Sequence, residues 1–194
     1  MDTSSTMLEL GTPFPHFELP DFNGTPFDSA GVQAPGILVI FLCPHCPFVR
    51  HIRRALARMT REYQAKGLAI VGINSNDIDQ YPMDGPEGMK QEAEDAGYVF
   101  PYLLDRDQSV ARLYRAACTP DFFLFDHDGN LAYRGQFDGS RPRNNVPVTG
   151  ADLRAAADAV LGGRSPSADQ RASMGCNIKW KPGNEPEYFA PRSF

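Results

Sequence analysis

The sequence predicts an α/β fold: a central mixed sheet flanked by helices, led by an N-terminal β-hairpin and followed by a C-terminal tail extension. Three observations predict it. Two continuous apolar runs, residues 36–42 and 68–73, read as buried strands. Between them, Val49, Ile52, Leu56, Met59 and Tyr63 recur at helical spacing, which makes residues 48–66 an amphipathic helix. Strand, helix and strand in that order imply a right-handed crossover and parallel pairing. Farther on, an Asp-Gly turn between apolar runs adds an antiparallel pair.

Taken in order, residues 14–19 and 25–28 are short extended pieces joined by Asp21-Phe22-Asn23-Gly24, a hairpin-turn signal. His16 has no partner at a useful spacing and reads as a surface or turn histidine. Gly67 ends the first helix as a C-cap and leads into the second strand, which closes on the polar run Asn74-Ser75-Asn76-Asp77. Residues 86–96 form the next helix, with Pro86 and Glu87 at its start and Gly97 past its end. Residues 98–104 are extended but broken by Pro101. Residues 108–117 read as helical, with Val110, Leu113 and Tyr114 as an apolar face. Residues 122–126 and 131–134 are strands around His127-Asp128-Gly129-Asn130, and residues 151–161 form the last helix, ended by Gly162-Gly163. Residues 1–163 thus make one domain.

The tail, residues 164–194, is rich in Pro, Ser, Gly and charge and has no periodic helix. It nonetheless carries Ile178, the single tryptophan Trp180, Tyr188 and Phe189, too much apolar surface to leave in water. It is therefore expected to pack on the domain, bringing Cys176 within reach of Cys43 or Cys118.

The chemistry centres on Phe41-Leu42-Cys43-Pro44-His45-Cys46-Pro47 at the junction of strand and helix. A cysteine there faces unpaired backbone N–H groups and the positive end of the helix dipole, which favour thiolate. His45 can add positive charge, and Pro44 stiffens the turn. Cysteines so placed have pKa values of roughly 3.5–7.5. On this argument Cys43 caps the helix as the exposed, acidic thiol and Cys46 lies one turn in.

These residues resemble the active site of the thioredoxin superfamily, and Cys-Pro-His-Cys is a variant seen in its strongly oxidising members. The resemblance makes Cys43 the attacking thiol, His45 its neighbour, Cys46 the resolving thiol, and Pro44 part of the substrate surface. Thr119-Pro120 before a strand carries it further. Such proteins place a cis-proline opposite the two cysteines, leaving the backbone at Thr119 free to pair with an extended disulfide substrate. The leading hairpin resembles peroxiredoxin-like and TlpA-like proteins. The whole chain is most similar to a peroxiredoxin-like, AhpC/TSA-related group, through Cys43-Pro44-His45-Cys46-Pro47, Ile73-Asn74-Ser75-Asn76-Asp77, Cys118-Thr119-Pro120-Asp121 and Gly175-Cys176-Asn177-Ile178-Lys179-Trp180.

The peroxidase signature Pro-x-x-x-Thr/Ser-x-x-Cys is absent. Counting back from Cys46 its positions hold Val39 and Cys43, and from Cys43 they hold Gly36 and Ile40. The activating arginine's position is Pro120. The resemblance therefore implies a thiol–disulfide oxidoreductase that uses Cys43 and Cys46, with Cys118 and Cys176 as additional thiols. Its partners would be a protein or small-molecule disulfide and a thiol reductant, with no cofactor. A weak thiol peroxidase is one alternative. Another is a soft-metal module in which Cys43 and Cys46, with His45, His51 or Cys118, hold Cu(I) or Zn.

A net charge of −5 gives no footprint for nucleic acid. Arg50, Arg53, Arg54, Arg58 and Arg61 line the helix face opposite the apolar stripe and read as a solvated surface. No stretch has the length of a membrane span. The first residues show neither a basic nor an apolar signal region, so a cytoplasmic protein is expected, where four cysteines argue for reversible chemistry.

Overall fold

A computed structural model describes residues 2–189. Along the chain lie β1 (Asp2–Ser4), β2 (Glu18–Pro20), β3 (Pro26–Asp28), β4 (Ile37–Phe41), α1 (Pro47–Ala65), β5 (Ala69–Asn74) and α2 (Pro86–Ala96). They are followed by β6 (Tyr102–Leu104), α3 (Ser109–Leu113), β7 (Cys118–Thr119), β8 (Asp121–Phe125), β9 (Leu131–Gly135), α4 (Ala151–Leu161) and β10 (Met174–Asn177).

The central sheet has the order β6-β5-β4-β8-β9. β4 pairs parallel with β5 and antiparallel with β8, so the mixed sheet predicted from the crossover and the Asp-Gly turn is present. β2 and β3 form the predicted hairpin. Because β4 is covered on both faces, all five of its residues are buried and alternate between two cores. Leu38 and Ile40 face α1, α2 and α4; Ile37, Val39 and Phe41 face α3, the hairpin and the tail. On α1 the apolar stripe packs inward, while Arg50, Arg54, Arg58 and Arg61 remain exposed. No helix among the described residues is long and apolar enough to cross a membrane.

Two expectations need correction. The third helix covers only Ser109–Leu113, because Tyr114 closes it and Arg115 turns to φ 51°. Leu113, placed on its apolar face, is instead 52% exposed. The tail contains a strand that no periodicity announced. β10 lies between β1 and β7 in a small antiparallel sheet, with Cys176 opposite Thr119 and Asn177 opposite Cys118. Ile178 and Trp180 then anchor it in the second core, each a burial worth roughly 1.5–3 kcal/mol for side chains of this size. Tyr188 packs on Trp180, ring centroids 6.3 Å apart. Residues 190–194 of the predicted tail lie outside the described residues.

Candidate active site: a three-thiol cluster at the start of a helix

β4 carries the chain into the site, and the turn Cys43-Pro44-His45 precedes α1. Pro47 occupies the first helical position, where its fixed φ and missing N–H cost nothing. The N-cap is Cys46, so the helix-dipole argument applies to the second cysteine and not to Cys43, as the spacing had suggested. Arg50, read as purely solvated, donates from Nε to the carbonyl of Pro44 at 2.9 Å and fixes the turn.

Neither cysteine is exposed: Cys43 is 1% accessible and Cys46 0%. The Thr119–Pro120 bond is cis, as predicted. Thr119 meets both sulfurs, with Oγ1 3.4 Å from Cys43 and its carbonyl oxygen 3.1 Å from the Cys46 thiol. Its backbone is not free for a substrate, because β10 already occupies that edge through Cys176. All four cysteines are free thiols.

Cys176 packs against the cluster that holds Cys43 and Cys46. The neighbouring thiols, Cys176 first and then Cys43, draw the Cys46 thiol well below its ordinary value. The Cys43 thiol is pushed up, first by the Cys46 thiol beside it, then by burial and by the carboxylate of Asp84. The expectation of an exposed, acidic Cys43 is therefore corrected: it lies off the helix end, is covered, and faces a negative charge. The cluster offers two placements for one charge. With Cys46 ionised, the neighbouring thiols of Cys43 and Cys176 favour that charge. With Cys43 ionised, Thr119 Oγ1 can donate to that sulfur, while the Cys46 S–H donates to the Thr119 carbonyl.

Asp84 is a site residue that the sequence reading missed. It ends a single 3₁₀ turn, Pro82–Asp84, beyond β5, where no local pattern marks it. Its carboxylate is fully buried and accepts from His45 N–H at 3.2 Å, from Asn76 Nδ2 at 2.8 Å, and pairs with His45 Nδ1 at 2.5 Å. Asn74 Nδ2 donates to the Asp84 carbonyl at 2.6 Å, so the polar end of β5 holds the loop. Tyr81 stacks on His45, ring centroids 5.7 Å apart. Cys118 points away: its thiol donates to the carbonyl of Pro120 at 3.6 Å, and burial, then Asp121, push it up.

Among the described residues, one grouping has the donor spacing of a metal site: Cys43, His45 and Asp84, with ligand atoms within 4.8 Å of one another. Cys46, His51 and Cys118 are not part of it. His45 Nδ1 and the Asp84 carboxylate already satisfy each other, so hydrogen bonding accounts for the grouping.

The AhpC/TSA family model matches residues 10–134. An uncharacterized conserved protein from Geobacillus kaustophilus is 48% identical, with 94% of this chain and 97% of that chain covered and a TM-score of 0.91. A hypothetical protein from Sinorhizobium meliloti 1021 is 50% identical, with 92% and 98% covered and a TM-score of 0.90. The thiol-disulfide oxidoreductase ResA of Bacillus anthracis is 21% identical over 124 residues, 64% of this chain and 68% of that protein. More distant thioredoxin-like structures share the fold.

Proposed function

The chain belongs to the AhpC/TSA family, and from that premise we propose that it is a thiol–disulfide oxidoreductase whose redox pair is Cys43 and Cys46. The observation that carries this reading is the convergence of both sulfurs on Thr119, Cys43 on its Oγ1 at 3.4 Å and Cys46 on its carbonyl oxygen at 3.1 Å, at the start of α1. Within that cluster the proton of Cys43 passes to Cys46. Once the proton has moved, the Cys43 thiolate attacks a substrate disulfide and expels one half as a thiolate. Cys46 then gives up its proton and attacks Cys43 of the mixed disulfide, releasing the second half. The substrate gains two electrons, and the protein loses them in forming the Cys43–Cys46 bridge. A thiol reductant restores both thiols.

His45 and Asp84 stand beside Cys43, their polar atoms within 4.8 Å of its sulfur, and Pro44 and Pro120 adjoin Cys43 and Thr119 in the chain. With β10 paired to Thr119, an extended peptide has no open edge there, which favours a small disulfide as substrate. A cytoplasmic setting suits this cycle, since thiol reductants are supplied there.

Oxidised glutathione and cumene hydroperoxide distinguish the reading from peroxidase chemistry. A peroxidase would need proline and a hydroxyl at positions that hold Val39 and Cys43 counted from Cys46, or Gly36 and Ile40 counted from Cys43, so the disulfide should be reduced the faster of the two. Cys43→Ser should slow that reduction severely, leaving only the slower reaction of Cys46, and Cys46→Ser should accumulate a glutathione adduct on Cys43. Faster hydroperoxide turnover, or full activity in Cys43→Ser, would overturn the assignment.

A further inference from the structure

The tail strand brings a third thiol to the redox pair. β10 lies antiparallel to β7 with Cys176 opposite Thr119, the residue whose carbonyl the Cys46 sulfur touches at 3.1 Å. Gly175 makes the approach possible. A Cβ there would stand 1.9 Å from the Thr119 oxygen and 2.6 Å from its carbonyl carbon. Cys176 is half-buried and packs against the core cluster that contains Cys43 and Cys46. Cys46 therefore shares its cluster with two other cysteines, one from its own turn and one from a strand more than a hundred residues later.

We propose that Cys176 is a third redox thiol, which attacks Cys46 within the Cys43–Cys46 bridge and moves the bridge to Cys46–Cys176. This rests on the proposed redox pair. The step forms one S–S bond and breaks one: Cys176 loses its proton and bonds Cys46, and Cys43 leaves as a thiolate that takes up a proton. No electrons enter or leave, so no further oxidant is required. Its consequence is that Cys43 returns as a free thiol while the oxidising equivalent is stored beneath the tail, for a thiol reductant to remove.

The local chemistry favours the transfer once Cys43 and Cys46 are bridged. In the reduced cluster the neighbouring Cys46 is the main influence holding the proton on Cys176, followed by burial. A bridged Cys46 carries no charge, so that influence disappears, while Lys179 continues to favour the Cys176 thiolate. Cys118, the other thiol near β10, is directed toward the carbonyls of Pro120 and Ser173 and has no such path.

Trypsin makes the test direct, because Cys43 and Cys46 share one peptide ending at Arg50, whereas Cys176 lies on Ala172 to Lys179. Reduced protein is treated with oxidised glutathione, alkylated without reduction and mapped by mass spectrometry, for the unsubstituted chain, Cys43→Ser, Cys176→Ser and Cys176→Ala. The unsubstituted chain should give a cross-link between the two peptides, with Cys43 alkylated in that fraction. Cys43→Ser should give Cys46–Cys176 as its protein bridge. Both Cys176 variants should leave Cys43 bridged to Cys46 and protected from alkylation; their far-ultraviolet circular dichroism confirms that they fold. A Cys43→Ser protein in which Cys46 and Cys176 never bridge overturns the transfer alone. A Cys176→Ala protein that forms no Cys43–Cys46 bridge overturns the redox pair, and the transfer with it.

Discussion

Asp84 grips His45 twice, through the backbone N–H at 3.2 Å and through Nδ1 at 2.5 Å. A buried carboxylate held against the middle of the two-cysteine turn works against thiolate formation at Cys43, which it pushes up. It also fixes the imidazole beside the sulfur, where a loose turn would leave it free. One residue thus restrains the nucleophile and orders its surroundings, and the two effects can be separated by experiment.

Asp84→Asn keeps the shape and removes the charge. In a Cys46→Ser background, which leaves Cys43 without its neighbouring thiol, the pH profile of iodoacetamide alkylation at Cys43 should move to lower pH by about one unit, the scale of a nearby like charge. An unchanged profile would show that the carboxylate is screened from the sulfur.

Gly175→Ala tests the seating of the tail strand. The new methyl would overlap the Thr119 carbonyl, backbone that has no rotamer to escape into. β10 should lift from β7 at a cost of about 1–3 kcal/mol, the range for overpacking a close contact. Denaturant unfolding reads the loss of stability, and hydrogen exchange should show amides at Cys118 and Thr119 opening. A variant as stable and as protected as the parent would mean that the strand is not held there in solution.

Much of this molecule was legible because its signals are local. The apolar runs of β4 and β5, the stripe on α1, and the Asn-Gly and Asp-Gly turns each lie within a few residues and have one period or one turn geometry. The small sheet of β1, β7 and β10 was not legible. Its strands are two to four residues long, too short for a period, and their partners lie far apart in the chain. The site divides the same way. Spacing placed Cys43 and Cys46 at a helix start, and the family resemblance put Thr119-Pro120 opposite them, but neither could say which cysteine caps the helix, nor that β10 would pair with Thr119. Asp84 reaches the site only through the tertiary path of its loop. For Cys176, the apolar residues Ile178 and Trp180 were the usable signal, since side chains that must be buried fix where their neighbours go.

Glu92 supplies a pH dependence of the fold itself. It is 4% exposed on α2, accepts from the Tyr102 hydroxyl at 3.2 Å through one oxygen, and has no partner among the described residues for the other. Burial pushes its carboxyl up to about 7. A group whose pKa is raised on folding adds stability below its unfolded value, near 4.5, and loses it as the pH climbs through the folded value. At about 1.4 kcal/mol per unit, the ionised carboxylate costs about 3 kcal/mol above neutrality. Asp121, also buried and raised to about 7, contributes in the same direction. Stability from denaturant unfolding should therefore fall between pH 5 and pH 8. Glu92→Gln keeps an acceptor for Tyr102 and cannot ionise, so it should flatten roughly half of that slope and leave the Asp121 part. A variant with the parent's full slope would assign the whole pH dependence elsewhere, and would mean that water or a local rearrangement already solvates the Glu92 carboxylate.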